Sequence, residues 1–86
     1  MRIIFHKSFE KKYKKLSANI KRKIKERNVL FMSDPYNPSL NNHSLQGKYL
    51  GYRSFNITGD LRIIYKLLNN DTAVFVEVGT HSELYS

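Results

Sequence analysis

Two apolar runs joined by a polar turn decide the fold: residues 61–78 read LRIIYKLLNNDTAVFVEV. Residues 61–68 alternate between two faces, as the side chains of a β-strand do. Residues 69–71 read NND, a composition typical of a hairpin turn. Residues 73–78 are rich in the β-branched and aromatic side chains that strands favour. The stretch therefore predicts two antiparallel strands.

Two more strands are predicted before this hairpin. Residues 2–6 are rich in Ile and Phe and are typical of a short strand. Residues 49–57 are also strand-like, with Gly51 inside the run. Residues 58–60 read TGD, a turn signal that joins this strand to the hairpin.

The segment between these strands has the pattern of an amphipathic helical hairpin. Ser8 suits a helix N-cap, and residues 17–19 interrupt the pattern and offer a second cap. Asp34 precedes Pro35 and therefore disfavours helix, so the hairpin ends there and residues 36–42 form a loop. The apolar positions on one face are Phe9, Tyr13, Leu16, Ile20, Ile24 and Phe31.

The predicted element order is β-α-α-β-β-β in one domain, residues 1–86. This order is typical of a small α+β domain, with two N-terminal helices packed on one face of a mostly antiparallel sheet of four to five strands. We expect the other face of the sheet to be free for a ligand.

Positive charge is concentrated in the predicted helices. Residues 1–33 contain eleven Lys and Arg against two acids, a net +9, and residues 34–86 contain four against five, a net −1. Such a block fits a phosphate-binding surface, and it also fits a solubilising helix surface. The candidate RNA contacts are Lys11, Lys12, Lys14, Lys15, Lys21, Arg22, Lys48 and Arg53.

Several classes of protein are disfavoured. The chain has no cysteine, so it has neither a disulfide framework nor a thiolate metal site. No run reaches the roughly 18 apolar residues of a membrane span, and the early charge at Arg2 argues against a signal peptide. His6, His43 and His81 do not have the spacing of metal ligands. We expect a cytoplasmic protein with no membrane association, no metal ion and no cofactor.

The end of the chain has two side chains that can transfer protons. Residues 79–85 read GTHSELY and follow the last predicted strand directly, so His81 and Tyr85 lie four residues apart at a strand end. In a basic chain of this size, this pattern indicates acid–base chemistry on a nucleic acid. It also fits a frayed terminus with Tyr85 as an anchor on the sheet.

Three motifs in order resemble the RelE/ParE superfamily of bacterial toxin–antitoxin toxins, and most closely its RelE- and YafQ-like messenger-RNA-cleaving members. Residues 43–53, HSLQGKYLGYR, are similar to the family's His-x-Leu-x-Gly segment and the Gly-Tyr-Arg strand that follows. Residues 59–65, GDLRIIY, are similar to its Gly-Asp-x-Arg strand, and residues 79–85 to the YafQ-like C-terminus. Element order, length and charge agree over the whole chain.

The resemblance implies a ribosome-dependent endoribonuclease toxin that a cognate antitoxin restrains in the bacterial cytoplasm. The basic helices would bind ribosomal RNA while the sheet addresses the message. Two alternatives stay open. A ParE-like toxin would inhibit DNA gyrase without cutting RNA, and a non-catalytic RNA-binding module would only bind.

The resemblance also assigns roles to residues. His81 matches a catalytic histidine, and His43 and Asp60 match YafQ-like catalytic positions, either of which could be the general base. Asp60 could instead hold a histidine in its tautomer. Arg62 matches a RelE-like arginine that serves the scissile phosphate, and Tyr85 matches a functional aromatic position. Asp60 also fits an ordinary turn, where Gly-Asp is a common sequence, and Arg62 also fits an exposed charged residue on a strand.

Two positions depart from the YafQ-like pattern. Asn56 stands where these members tend to have a further active-site histidine, and Leu61 stands where they tend to have tryptophan. The predicted site therefore combines a RelE-like arginine with YafQ-like histidines. Metal-independent attack of a 2′-OH at such a site would leave a 2′,3′-cyclic phosphate and a 5′-OH. Tyr49 and Tyr52 could stack on bases.

Overall fold

The computed structural model of the protein describes residues 1–85, which form a five-stranded sheet and three α-helices. The α+β class is confirmed. In chain order the elements are β1 (Arg2–Phe5), α1 (Lys7–Lys14), α2 (Ala18–Ser33), β2 (His43–Ser44), β3 (Arg53–Asn56), β4 (Leu61–Asn69), β5 (Thr72–Thr80) and α3 (His81–Tyr85). Within residues 1–85, no helix is long and apolar enough to cross a membrane.

The strand order in the sheet is β1-β5-β4-β3-β2. The strands β2 to β5 pair antiparallel with their neighbours, and only β1 pairs parallel, with β5. The helical hairpin therefore connects strands at opposite edges of the sheet, and the predicted hairpin of β4 and β5 lies at its centre. The mostly antiparallel sheet with five strands agrees with the sequence pattern.

The main core lies between the sheet and the two long helices. Phe31 of α2 stacks on Phe55 of β3 with ring centroids 4.4 Å apart. Tyr65 and Phe75 meet the Phe31 ring edge-on at 4.9 and 5.7 Å. All four rings are buried, and burial of one such side chain contributes about 1.5–3 kcal/mol. This aromatic cluster fixes α2 across β3, β4 and β5.

The helix caps differ from the sequence prediction at one end of the hairpin. Ser17 caps α2 as predicted, since its hydroxyl accepts a hydrogen bond from the Ile20 N–H at 3.2 Å. For α1 the prediction of Ser8 was wrong. The cap is His6, whose Nδ1 accepts the Ser8 N–H at 3.1 Å, so the helix begins two residues earlier, at Lys7.

The predicted strand over residues 49–57 is shorter than expected. Gly51 has φ +92°, a left-handed conformation that an extended strand cannot contain. The chain makes a 3₁₀ turn over Gly47–Tyr49, and only Arg53–Asn56 pair as a strand. A two-residue strand, His43–Ser44, pairs with this strand instead and forms the edge of the sheet.

The second face of the sheet is partly covered, so the expectation that it is wholly free was wrong. Leu45, Ile64 and Leu84 form a second buried cluster there. Leu84 belongs to α3, a short helix that the sequence pattern did not predict. Tyr49, Tyr52, Val76 and Tyr85 pack around this cluster. The open surface is therefore a strip around α3 rather than a whole sheet face.

Candidate functional site

Arg62 lies at the end of the sheet where three strands run side by side. It pairs with Asn56 on β3 and with Gly79 on β5. Because side chains alternate along a strand, Arg62 is on the same face as Ile64. Its Nε donates a hydrogen bond to Asn56 Oδ1 at 3.2 Å. Within residues 1–85 its terminal N–H groups have no protein partner, so they can bind two oxygens of a phosphate.

A reciprocal pair of hydrogen bonds begins α3. The Thr80 Oγ1 accepts the Glu83 N–H at 3.2 Å, and Glu83 Oε1 accepts the Thr80 N–H at 2.8 Å. This is a capping box, which satisfies two N–H groups at the start of a helix. A Cβ at Gly79 would lie 3.3 Å from Glu83 Oε1, so glycine lets the carboxylate close over the strand end. The box turns the chain from β5 directly into His81.

The same contacts shift the titration of Glu83. Hydrogen bonds from Thr80, first from its backbone N–H and then from its side chain, lower the pKa of the Glu83 carboxyl. Lys12 acts in the same direction through its charge, while desolvation opposes the shift. The carboxylate form that the capping box needs is therefore favoured.

His81 and Tyr85 lie together on one side of α3. They are four residues apart, and their ring centroids are 4.7 Å apart with the planes tilted by 49°. Leu84 is buried against Ile64 and anchors the helix, while His81 is exposed. Rings at this spacing are neighbours on a helix surface. The arrangement presents an imidazole and a phenol to solvent beside the sheet.

Asp60 joins this group through the backbone of His81. It lies in the turn between β3 and β4, and its Oδ1 is 3.5 Å from the N–H of His81, a long hydrogen bond. The carboxylate contacts the main chain of His81 and not its imidazole, so the idea that Asp60 sets the tautomer of this histidine has no hydrogen bond behind it. The structure therefore brings together Asp60, Arg62, His81 and Tyr85.

His43 is on the same face but further away, on the edge strand β2. It pairs with Ser54, which in turn pairs with Ile64. Its Nδ1 is 2.8 Å from the carbonyl oxygen of Asn41. A carbonyl oxygen can only accept, so Nδ1 carries the proton, and in the neutral ring Nε2 is the acceptor. His43 is exposed, and this tautomer suits it to take up a proton.

The predicted basic residues of the helices are not equivalent. Lys12 makes an ion pair with Glu77 at 2.9 Å, and Arg22 makes a hydrogen bond with Asn19. Lys21 donates to the Lys14 carbonyl at 3.3 Å. Three further predicted contacts, in α1 and at its C-cap, are exposed and have no ion pair within residues 1–85: Lys11, Lys14 and Lys15.

The other two predicted RNA contacts lie on opposite faces of the sheet. Arg53 pairs with Tyr65 and therefore faces the helices, where its Nε donates to Asn42 Oδ1 at 2.9 Å. Its guanidinium lies 5.3 Å from the centroid of the Tyr36 ring. Arg53 is thus separated from the site by the sheet. Lys48 is on the site face, next to Tyr49.

Sequence reasoning missed two features of the site. The capping box was visible as the pattern Thr-x-x-Glu at 80–83, directly after an apolar run. The contact between Asn56 and Arg62 depends on strand register, which the sequence did not provide. Leu61, the other departure from the family pattern, packs against the main core.

Within residues 1–85, no three His, Cys, Asp or Glu side chains are grouped so that they could hold a metal ion. The expectation of a metal-free reaction stays a prediction.

Comparisons with known proteins agree with this fold. A family model described as the bacterial toxin of type II toxin-antitoxin system, YafQ, matches residues 1–86. The crystal structure of YafQ from E. coli strain BL21(DE3) is 26% identical, with a TM-score of 0.83 and 100% of both chains covered. YafQ in the E. coli DinJ–YafQ complex is 26% identical, with a TM-score of 0.73 and 100% of both chains covered.

A toxin described as YoeB/ParE from Agrobacterium tumefaciens is 20% identical, with a TM-score of 0.76, and covers 94% of this chain and 99% of that one. At that identity the likeness shows the fold alone. No match was found among curated proteins.

The fold and the family match define a toxin of a type II toxin–antitoxin system. The chain belongs to the YafQ family of these toxins. The resemblance to RelE- and YafQ-like toxins in the sequence motifs is therefore confirmed.

Proposed function

We propose that this protein is a ribosome-dependent endoribonuclease that cuts translated messenger RNA without a metal ion. The observation that carries the proposal is the group formed by Asp60, Arg62, His81 and Tyr85 at one end of the sheet, in a member of the YafQ family. Proton-transfer groups beside a guanidinium with unpaired terminal N–H groups suit the cleavage of a phosphodiester.

The reaction begins with removal of the 2′-OH proton by a base. The 2′ oxygen attacks the adjacent phosphorus, the bond from phosphorus to the 5′ oxygen breaks, and an acid protonates that leaving oxygen. The products are a 2′,3′-cyclic phosphate and a 5′-OH. No oxidant or external reactant is needed. Arg62 stabilises the negative charge that grows on the phosphate oxygens, because its terminal N–H groups are free.

His43 is the stronger candidate for the base. Its contact with the Asn41 carbonyl favours the tautomer in which Nε2 accepts a proton. Asp60, the second candidate, already has its carboxylate against the His81 N–H. His81 then serves as the acid, and Tyr85, whose ring contacts the imidazole, orients the substrate beside it.

The ribosome supplies binding that the small site lacks. The best candidates for contacts to ribosomal RNA are three predicted lysines of α1 and its C-cap that have no ion pair within residues 1–85: Lys11, Lys14 and Lys15. Phosphate contacts of this kind fix position without reading sequence. Action on translating ribosomes also implies the bacterial cytoplasm as the place of action.

A cognate antitoxin is the second partner. YafQ of E. coli has been solved in complex with DinJ, and the present chain is 26% identical to that YafQ. Membership of a family of type II toxins supports an antitoxin for this chain too.

Primer extension on a message translated in a purified bacterial system tests the proposal. We expect cleavage by the wild-type protein only when ribosomes are present, and its loss in His81→Ala. His81 is exposed, so the variant should keep the thermal unfolding temperature of the wild type. A folded wild-type protein that leaves the message intact would count against the nuclease and favour gyrase inhibition, which a supercoiling assay measures.

A further inference from the structure

Three tyrosine rings continue from the site across the sheet. The Tyr85 ring, which touches His81, lies 5.9 Å from that of Tyr49, and Tyr49 lies 6.1 Å from Tyr52, centroid to centroid. Both contacts are edge-on, with the planes at 88° and 77°. We call Tyr85, Tyr49 and Tyr52 the tyrosine row. It leads from His81 toward the edge of the sheet that α1 borders.

Two lysines accompany the row. The Lys48 Nζ lies 5.3 Å from the centroid of the Tyr49 ring, and Lys66 Nζ lies 5.4 Å from that of Tyr52. Within residues 1–85 neither ammonium has a carboxylate partner. In the otherwise acidic half of the chain, two of the four basic side chains thus lie along this row. An unpaired ammonium beside an aromatic ring suits a phosphate that follows a stacked base.

A cavity of about 260 Å³ opens at the far end of the row, between Tyr49, Tyr52 and the start of α1. Its lining also contains His6, Ser8, Lys48 and Glu77. The His6 Nδ1 accepts the Ser8 N–H, so in the neutral ring Nε2 donates. Glu77 accepts, and Lys12 balances its charge at 2.9 Å.

Each part of a nucleotide has a suitable group here. Glu77, whose charge Lys12 balances, can accept hydrogen bonds from the edge of a base. Lys48, which also lines the cavity, and Lys66 beside Tyr52 have no carboxylate partner within residues 1–85 and attract phosphates. The rings and Glu77 therefore fit a base, and the two lysines fit the backbone.

We propose that the tyrosine row and its cavity bind single-stranded RNA next to the scissile phosphate. One base enters the cavity and stacks on Tyr52, and the backbone phosphates lie at Lys48 and Lys66. The inference rests on the proposed function, because the row begins at Tyr85 beside His81. It adds residues that act in substrate binding and not in proton transfer.

The test is fluorescence anisotropy of a labelled single-stranded RNA octamer of mixed sequence, without ribosomes and at low salt. We expect Tyr52→Ala to weaken binding about tenfold or more, since loss of one base–aromatic stack has an effect of that size. Tyr52→Phe keeps the ring and should bind like the wild type. Removing both ammonium groups, in Lys48→Ala with Lys66→Ala, should lower the salt slope by about 1.4, at about 0.7 per contact.

Two control variants match these changes away from the row. Tyr36→Ala removes a ring that is 59% exposed and lies under Arg53 on the other side of the sheet. Lys25→Ala removes an exposed ammonium of α2. Both should leave the affinity for the octamer close to that of the wild type.

Three outcomes would overturn the inference: no binding of the octamer by the wild type, equal binding by Tyr52→Ala, or equal loss in Tyr52→Phe and Tyr52→Ala. A loss of octamer affinity in Tyr36→Ala or Lys25→Ala as large as that in the tyrosine-row variants would also overturn it, because it would indicate nonspecific attraction. The outcome for the nuclease is separate. Row-dependent binding without cleavage on ribosomes defeats the proposed function alone, and cleavage without row-dependent binding defeats this inference alone.

Discussion

Asn56 positions the side chain of Arg62 in the candidate site. It stands where related toxins tend to have an active-site histidine, and here its Oδ1 accepts a hydrogen bond from Arg62 Nε. A histidine lost at this position would remove a proton-transfer group. In the proposed mechanism, the arginine that Asn56 contacts would supply charge stabilisation instead. The pair is therefore consistent with a site that relies on His43 and His81 for protons and on Arg62 for charge.

The unpaired terminal N–H groups of Arg62 give the first prediction. We expect Arg62→Ala to lower the single-turnover cleavage rate on ribosomes by about 10²–10³-fold, as loss of one charge-stabilising donor does elsewhere. Arg62→Lys should recover only part of the rate, because an ammonium cannot bind two oxygens in one plane. Thermal unfolding serves as the control for both variants. Full activity in Arg62→Ala would remove this residue from the mechanism.

The second prediction separates the two candidate bases. His43→Ala should lower the cleavage rate by about 10²–10⁴-fold, the usual range for a general base. Asp60→Asn should cost much less, because an amide oxygen can still accept the His81 N–H. Single-turnover rates for the two variants decide between them. A larger loss in Asp60→Asn than in His43→Ala would make Asp60 the base.

At the scale of elements, α3 is the piece that assembles the site. It contains His81 and Tyr85, its capping box begins directly at the end of β5, and Leu84 anchors it to Ile64. Five residues do not form a stable helix alone, so the cap and the buried leucine hold it in place. We expect loss of the capping box or of the Leu84 side chain to reduce the proposed cleavage activity more than it reduces the stability of the sheet.

The third prediction concerns the pH dependence of this helix. The pKa of Glu83 is lowered in the folded protein by the hydrogen bonds from Thr80. Its stabilising effect is therefore complete above the ordinary carboxyl pKa of 4.5 and is lost as the pH falls through the lower folded value. We expect Glu83→Ala to unfold at a lower temperature than the wild type at neutral pH, and the difference to shrink below pH 4.5.

Ser82→Ala is the matched control, because Ser82 is an exposed α3 residue outside the capping box. It should show no such change with pH. A difference between Glu83→Ala and wild type that stays constant with pH would mean that the carboxylate does not cap α3.

The elements also show what sequence patterns can and cannot predict. The central hairpin followed from alternation, and the helical hairpin followed from spacing and from the caps around Ser17 and Pro35. The strand at 49–57 was overestimated because β-propensity does not reveal that Gly51 adopts a positive φ. The contact of Arg62 with Asn56 could not be predicted, since it needs the register of β3 against β4.

At the scale of the molecule, the long helices lie on one face of the sheet and the candidate site on the other. The net charge of +9 in residues 1–33 is thus separated by a sheet from most of the candidate site. One exception is Lys12, which makes an ion pair with Glu77 in the lining of the cavity beside the tyrosine row. This division supports a protein that binds the ribosome through its helices and the message through its other face.

The fourth prediction tests that division with charge reversal. Changing Lys11, Lys14 and Lys15 together to Glu should weaken ribosome binding and reduce its salt slope by about 2–3 units, at about 0.7–0.9 per contact. Lys12 is left unchanged, because its reversal would also break the ion pair with Glu77. The same triple change should not affect octamer binding at the tyrosine row beyond a general loss of attraction. An unchanged salt slope would exclude these lysines as ribosomal contacts.

The most direct test of the central claim is a single-turnover cleavage measurement on purified bacterial ribosomes. After the cut has been mapped, the message is prepared again with a 2′-deoxy nucleotide at the position before it. We expect the wild-type protein to cut the unmodified message, leaving a 2′,3′-cyclic phosphate and a 5′-OH, and to leave the 2′-deoxy message intact. Equal cutting of both messages, or fragments with a 5′-phosphate, would contradict attack by the 2′-OH.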